Sequence, residues 1–113
     1  MKIGIDIEET ERFKINKEDS FNKKVFTDAE INYAYKKSKP WIHLCGFFCA
    51  KEALKKTIEF SGLDYKEIEI LHKENGKPII KILNPKINSL KFEVSISHCN
   101  LYAIANVIQV ENE

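Results

Sequence analysis

Between Pro40 and Phe60 the chain carries its longest helical pattern, and the first half of that pattern has no polar face. Trp41, Ile42, Leu44, Cys45, Phe47, Phe48, Cys49 and Ala50 make the segment apolar nearly all round, so the rest of the molecule must fold around it. Lys51, Glu52, Lys55 and Lys56 then interrupt this surface. Glu52 and Lys56 are four apart and share a face, one turn beyond Phe48. A carboxylate in so apolar a helix needs a cation, a metal ion or water beside it. The plainer alternative is an ordinary Glu-Lys pair where the helix reaches solvent.

A length of 113 residues predicts one domain, 1–113, with a modest core and room for an oligomer interface. The chain is 43 % hydrophobic and 31 % charged, yet its net charge is only +1, which excludes a general nucleic-acid footprint. The charge is uneven: Lys14, Lys17, Lys23 and Lys24 cluster early, with Lys36, Lys37 and Lys39 after them. Such a patch can receive an acidic partner or simply solvate the surface. Cys45, Cys49 and Cys99 lack zinc-type pairing, and the first two read as small buried hydrophobes. An odd cysteine count without a targeting pattern predicts a reducing, cytoplasmic setting, and no apolar run is long enough for a membrane span.

Lys2 to Glu8 alternates as a strand, with Ile3, Ile5 and Ile7 on one face and Gly4, Asp6 and Glu8 on the other. Gly4 leaves room for close approach by a ligand or another backbone. Glu9 to Phe21 reads as polar with short helical turns. Thr27 with Glu30 predicts a capping box and a helix from Asp28 to about Lys37. Pro40 then suits the first turn of the long helix, and Gly62 its end. Ile68–Leu71 and Pro78–Leu83 flank Asn75-Gly76, a type I′ hairpin signal. Phe92–His98 alternates strongly, and Leu101–Val110 is apolar on both sides and therefore central. The tail 111–113 is expected to fray. The sum is α+β: an antiparallel sheet of four or five strands packed on a long central helix and a shorter one.

Asp6 and Glu52 converge if the long helix packs on the first strand, and two carboxylates with waters and phosphate oxygens suffice for Mg²⁺. Ser95-Ile96-Ser97-His98 ends a strand in a hydroxyl and an imidazole. No Gly-x-Ser-x-Gly elbow, Walker loop or dinucleotide fingerprint is present.

Taken in order, several segments resemble those of the holo-[acyl-carrier-protein] synthases, the small 4′-phosphopantetheinyl transferases. They are Ile3-Gly4-Ile5-Asp6-Ile7-Glu8 with Glu11-Arg12-Phe13, Phe26-Thr27-Asp28-Ala29-Glu30, Phe48-Cys49-Ala50-Lys51-Glu52-Ala53 with Lys56, Gly76-Lys77-Pro78, and Val94-Ser95-Ile96-Ser97-His98 with Tyr102-Ala103. The resemblance implies that Asp6 and Glu52 ligate Mg²⁺, which bridges them to the pyrophosphate of the substrate coenzyme A. It implies that Lys56, with Lys51 beside it, faces the phosphates, and that Ser97 and His98 line the coenzyme A site. By the same resemblance Arg12 contacts the acidic recognition helix of an acyl carrier protein, and the protein is a homotrimer with sites between subunits; by their charge Arg12, Lys14, Lys23 and Lys24 are expected to steer that carrier. Glu52 or a water held on the metal is the expected base for the carrier serine, with Lys51 as a further catalytic candidate. Two positions depart from the family pattern: Phe47 stands where Arg is usual, and Glu59-Phe60-Ser61-Gly62 where Gly-Thr-Gly is usual. Both departures are expected to weaken contacts to the nucleotide end of coenzyme A. A non-catalytic binding module of the same fold, and an unrelated Mg²⁺-dependent phosphohydrolase, are the competing readings.

Overall fold

The protein, described here from a computed structural model, is defined over residues 1–111. Five strands are present: β1 (Lys2–Glu9), β2 (Ile68–His72), β3 (Pro78–Ile82), β4 (Lys91–His98) and β5 (Tyr102–Val110). Three helices accompany them: α1 (Ser20–Val25), α2 (Asp28–Tyr35) and α3 (Pro40–Lys55), with 3₁₀ turns at Thr10–Phe13 and Tyr65–Glu67. The α+β class is the expected one. The strands, however, divide into two antiparallel sheets, β1-β5-β4 and the hairpin β2-β3, and α1 is a third helix. The sequence shows only a polar run before α1; Asp19 caps this helix by accepting from the Phe21 N–H at 2.8 Å.

β5 is the central strand, as its apolar character on both sides requires. Its inner residues Ala103, Ala105 and Val107 are fully buried under α3, and being small they let the helix come close. Gly4 takes this furthest: a Cβ there would lie 2.0 Å from the carbonyl oxygen of Ala53. The close approach is thus made by a backbone, that of α3. Gly4→Ala is expected to push α3 off β1, lowering stability by about 1–3 kcal/mol or more through overpacking. Thermal unfolding would read this as a fall in Tm.

The close packing turns β1 over relative to ordinary amphipathic strands. Gly4, Asp6 and Glu8 face the helix, and Ile3, Ile5 and Ile7 point outward at 65, 53 and 59 % exposure. The isoleucines of this strand therefore lie outside the core.

α3 ends at Lys55 rather than Phe60. The Thr57 hydroxyl donates to the Leu54 carbonyl at 2.8 Å, and the helix ends in a turn there. Ile58 and Phe60 prolong the apolar pattern without prolonging the helix. Gly62 has φ +88° in that later connection, so it does not cap α3. The β2-β3 turn also differs from expectation: only Gly76 has positive φ, and its N–H donates to Lys73 O at 2.8 Å. That is a three-residue loop with glycine at the left-handed position, not the type I′ turn, which needs positive φ at Asn75 too.

The α2 capping box is present, and Glu30 does more than cap. Its carboxylate accepts from Thr27 N at 2.9 Å, Ile70 N at 2.8 Å and the Lys51 ammonium at 2.6 Å, fully buried. One side chain thereby joins α2, β2 and α3. Of the tail expected to fray, Glu111 accepts from the Met1 ammonium at 2.6 Å, and residues 112 and 113 lie outside the described residues.

Candidate active site

The acidic face of β1 meets the C-terminal half of α3. Asp6 and Glu8 alternate with outward isoleucines, so both lie on the helix side. Glu52 comes from α3, directly before the Ala53 that touches Gly4. Lys56, one turn beyond Glu52, donates to Ile5 O at 2.8 Å and stands 3.6 Å from Asp6 Oδ1. The structure therefore brings Asp6, Glu52 and Lys56 together, and adds two residues not singled out from sequence, Glu8 and Tyr65.

The electrostatics of this cluster are those of crowded negative charge. Partial burial, then a contact and like charge from Asp6, hold the Glu8 carboxyl above its usual pKa, with Glu52 adding and Arg12 opposing. The Tyr65 hydroxyl donates to Glu52 Oε1. Burial first, then this bond and the charge of Glu52, Asp6 and Glu8, push the phenol up to about 12. Asp6 Oδ2 is buried without any hydrogen-bond partner. Two facing carboxylates can share a bond only through a proton, so that oxygen lacks either a proton or a cation. Among the described residues no three His, Cys, Asp or Glu side chains are placed to hold a metal ion by themselves. Mg²⁺ asks for less: one or two carboxylates, its own waters and the oxygens of a phosphate. Asp6 and Glu52, with an orphaned oxygen and excess negative charge, fit such an ion.

Lys51 is not part of this cluster. It is fully buried and its ammonium donates to Val25 O at 2.7 Å, Glu30 Oε1 at 2.6 Å and Tyr65 O at 3.0 Å. All three protons are committed to the interior, which corrects its assignment as a catalytic or phosphate-facing group. Burial pushes both Lys51 and Glu30 toward their neutral forms, and their mutual contact opposes this.

Ser97 and His98 part company because neighbours on a strand face opposite ways. Ser97 pairs with Ile104 and shares the outer sheet surface with Ile7 and Tyr102. His98 turns inward to the N-terminal half of α3, its ring 5.4 Å from that of His43. Arg12 is exposed and ion-paired to Glu8 at the rim of the acid cluster. Lys14 lies 3.4 Å from Glu11 and 4.8 Å over the Trp41 ring, Lys23 is 3.5 Å from Glu18, and Lys24 is exposed. Of these four, Arg12 stands at the acid cluster, while Lys14 sits by Trp41 at the other end of α3. The alternation of β1 already put Glu8 on the face of Asp6; nothing in the sequence pointed to Tyr65, which arrives from the connection after α3.

An α+β fold whose first strand and longest helix meet in a carboxylate cluster flanked by lysine defines a class of small domain able to hold a hard cation together with phosphate oxygens. Comparison with known proteins makes the class specific. Residues 2–107 match the model of the 4′-phosphopantetheinyl transferase superfamily. The holo-[acyl-carrier-protein] synthase of Caldanaerobacter subterraneus subsp. tengcongensis is 38 % identical, the match covering 98 % of this chain and 95 % of the relative. The synthase of Protochlamydia amoebophila is 41 % identical over 91 % of this chain and 92 % of its own. Among solved structures, a holo-(acyl-carrier-protein) synthase from Bacillus anthracis in complex with coenzyme A (3′,5′-ADP) superposes with a TM-score of 0.79 at 31 % identity, covering 96 % of this chain and 94 % of that one. The Helicobacter pylori synthase in complex with coenzyme A gives 0.83 at 27 % identity, over 96 and 99 %. The chain belongs to the 4′-phosphopantetheinyl transferase superfamily, a family of transferases. No helix among the described residues is long and apolar enough to cross a membrane.

Proposed function

We propose that this chain, acting as one domain over 1–113, transfers the 4′-phosphopantetheine arm of coenzyme A to a serine of an apo acyl carrier protein and releases 3′,5′-ADP. The observation that carries the reading is the meeting of Asp6 and Glu52 around an unpartnered buried oxygen, with Lys56 alongside. Asp6 and Glu52 would hold Mg²⁺, which when bound draws charge from the phosphate oxygens as the bond to 3′,5′-ADP breaks. Lys56, more than half exposed, is free to turn its ammonium toward the diphosphate. Glu52 accepts the serine proton as the serine oxygen bonds to phosphorus. Tyr65 holds Glu52 in place by its hydrogen bond to Oε1. Lys51 serves the fold, not the chemistry.

Incubation with an apo carrier, coenzyme A and Mg²⁺, followed by mass spectrometry of the carrier, tests the reading. A carrier that gains the phosphopantetheine arm supports it. An unmodified carrier points to a non-catalytic module, and phosphate release without modification to a hydrolase.

Arg12, Lys14, Lys23 and Lys24 receive the acidic carrier in this reading. Association is accordingly expected to slow as salt rises, since exposed charges more than about 10 Å apart are screened at 0.1 M. Stopped-flow association rates at several ionic strengths would show it. The outward row of Ile3, Ile5 and Ile7, with Ile104 and Ile108 paired beside it, leaves an apolar sheet face bare. Ser97 opens onto the same face. A homotrimer that covers this face and places Ser97 at a subunit boundary accounts for both, and sedimentation equilibrium is expected to read three chain masses. Three free cysteines suit a reducing cytoplasm.

A further inference from the structure

Tyr65 is held at its backbone and at its ring, and its hydroxyl reaches Glu52 from that fixed base. It opens the 3₁₀ turn Tyr65–Glu67. A reciprocal pair closes the turn: Glu67 N donates to Asp64 O at 3.0 Å, and Asp64 N donates to Glu67 Oε1 at 3.0 Å. Leu83 N donates to Glu67 O at 2.8 Å, so the residue after β3 ties the turn down as well. The Tyr65 ring packs on Phe48 of α3, with centroids 5.4 Å apart and planes 31° apart. The Lys55 ammonium lies 3.7 Å over the ring centroid. The hydroxyl donates to Glu52 Oε1.

Phe48, Glu52 and Lys55 are spaced by four and then three residues, so all three stand on one face of α3. Tyr65 lies across that face. A phenylalanine would make the contacts to Phe48 and Lys55; the contact to Glu52 needs the hydroxyl. Glu52 in turn depends on it. Lys56, one turn on, is directed to Asp6 and to Ile5 O, and among the described residues no cation pairs with Glu52.

We propose that Tyr65 is a positioning residue of the carboxylate cluster, whose hydroxyl fixes the Glu52 side chain in one rotamer before any ligand arrives. A glutamate without such a partner samples several staggered rotamers. Ordering it in advance removes that cost from the binding of a cation, and gives the carboxylate a set direction for the proton it accepts. Tyr65 acts only through Glu52 and makes or breaks no bond itself. The catalytic consequence rests on the coenzyme A reading; the ordering of Glu52 does not.

The direct measurement is made by NMR on the free full chain. Three-bond couplings about χ1 of Glu52 are expected to report one rotamer in the native chain and averaged values in Tyr65→Phe. Averaged couplings in the native chain, or a single rotamer retained in the variant, overturn the proposal. The variant keeps the ring, so the contacts to Phe48 and Lys55 persist and the fold is preserved. As a second measurement, Mg²⁺ titrated calorimetrically into the free chain is expected to bind about two- to tenfold more weakly in Tyr65→Phe, the scale of ordering one long side chain. Equal or tighter binding overturns the proposal. In the carrier assay at saturating Mg²⁺ and coenzyme A, kcat of the variant is expected to fall on the order of tenfold with KM for coenzyme A unchanged, because the base is misdirected while the coenzyme contacts stay intact. A raised KM with kcat intact overturns it. If the native chain modifies no carrier, the coenzyme A reading falls, and if it takes up no Mg²⁺, the metal site falls. The Glu52 couplings then decide the positioning alone: a rotamer lost in Tyr65→Phe supports it, and an unchanged one overturns it.

Discussion

Asp6→Ala and Glu52→Ala are each expected to reduce carrier modification by at least about 100-fold at saturating coenzyme A and 10 mM-range Mg²⁺, because the charge neutralisation they anchor is worth several kcal/mol. The fold should survive. Asp6 has a buried oxygen with no partner, and Glu8 is held above its usual pKa partly by Asp6 and Glu52. Removing one carboxylate relieves that crowding, so thermal unfolding is expected to be unchanged or slightly higher in the absence of metal. In the same variants the Glu8 pKa should fall back toward its ordinary value. Full activity in either variant, with Mg²⁺ present, would remove the basis for the proposed metal site.

Lys51→Met is expected to do the opposite, damaging the fold in place of the chemistry. The substitution leaves the Glu30 carboxylate buried without its cation, and breaking a buried pair from one side costs about 3–5 kcal/mol. Glu30 is also the bond between α2 and β2, through Thr27 N and Ile70 N. For a domain of this size the loss corresponds to a fall in Tm on the order of 10–20 °C. Whatever fraction remains folded should keep its transfer activity, since the ammonium donates only to Val25, Glu30 and Tyr65. Calorimetry together with activity per folded molecule separates the two roles. A variant of normal stability that cannot transfer the arm would return Lys51 to the reaction.

How legible was the site beforehand? Glu52 was readable as a carboxylate in an apolar helix, and Asp6 as its partner on the condition that this helix packs on the first strand. Glu8 was readable from the period of β1. Tyr65 and Lys51 were not. Tyr65 reaches Glu52 from a connection without helical or strand periodicity. Lys51 is adjacent to Glu52, and sequence adjacency invited a shared role, yet on a helix neighbours point about 100° apart. That rotation sends one into the core and the other to the β1 face. Ser97 and His98 were divided in the same way by the period of a strand.

The order of elements, the buried character of α3, the central place of β5 and the capping box at Thr27 follow from residue patterns alone, since periodicity and caps are local physics. Three things were settled only by the folded chain: which side of β1 is covered, where α3 stops, and where His43 meets His98. The first turns on a single missing Cβ at Gly4, which lets Ala53 dock on the acidic side and leaves the isoleucines outside. The others depend on contacts between residues far apart in sequence, and no local pattern encodes those.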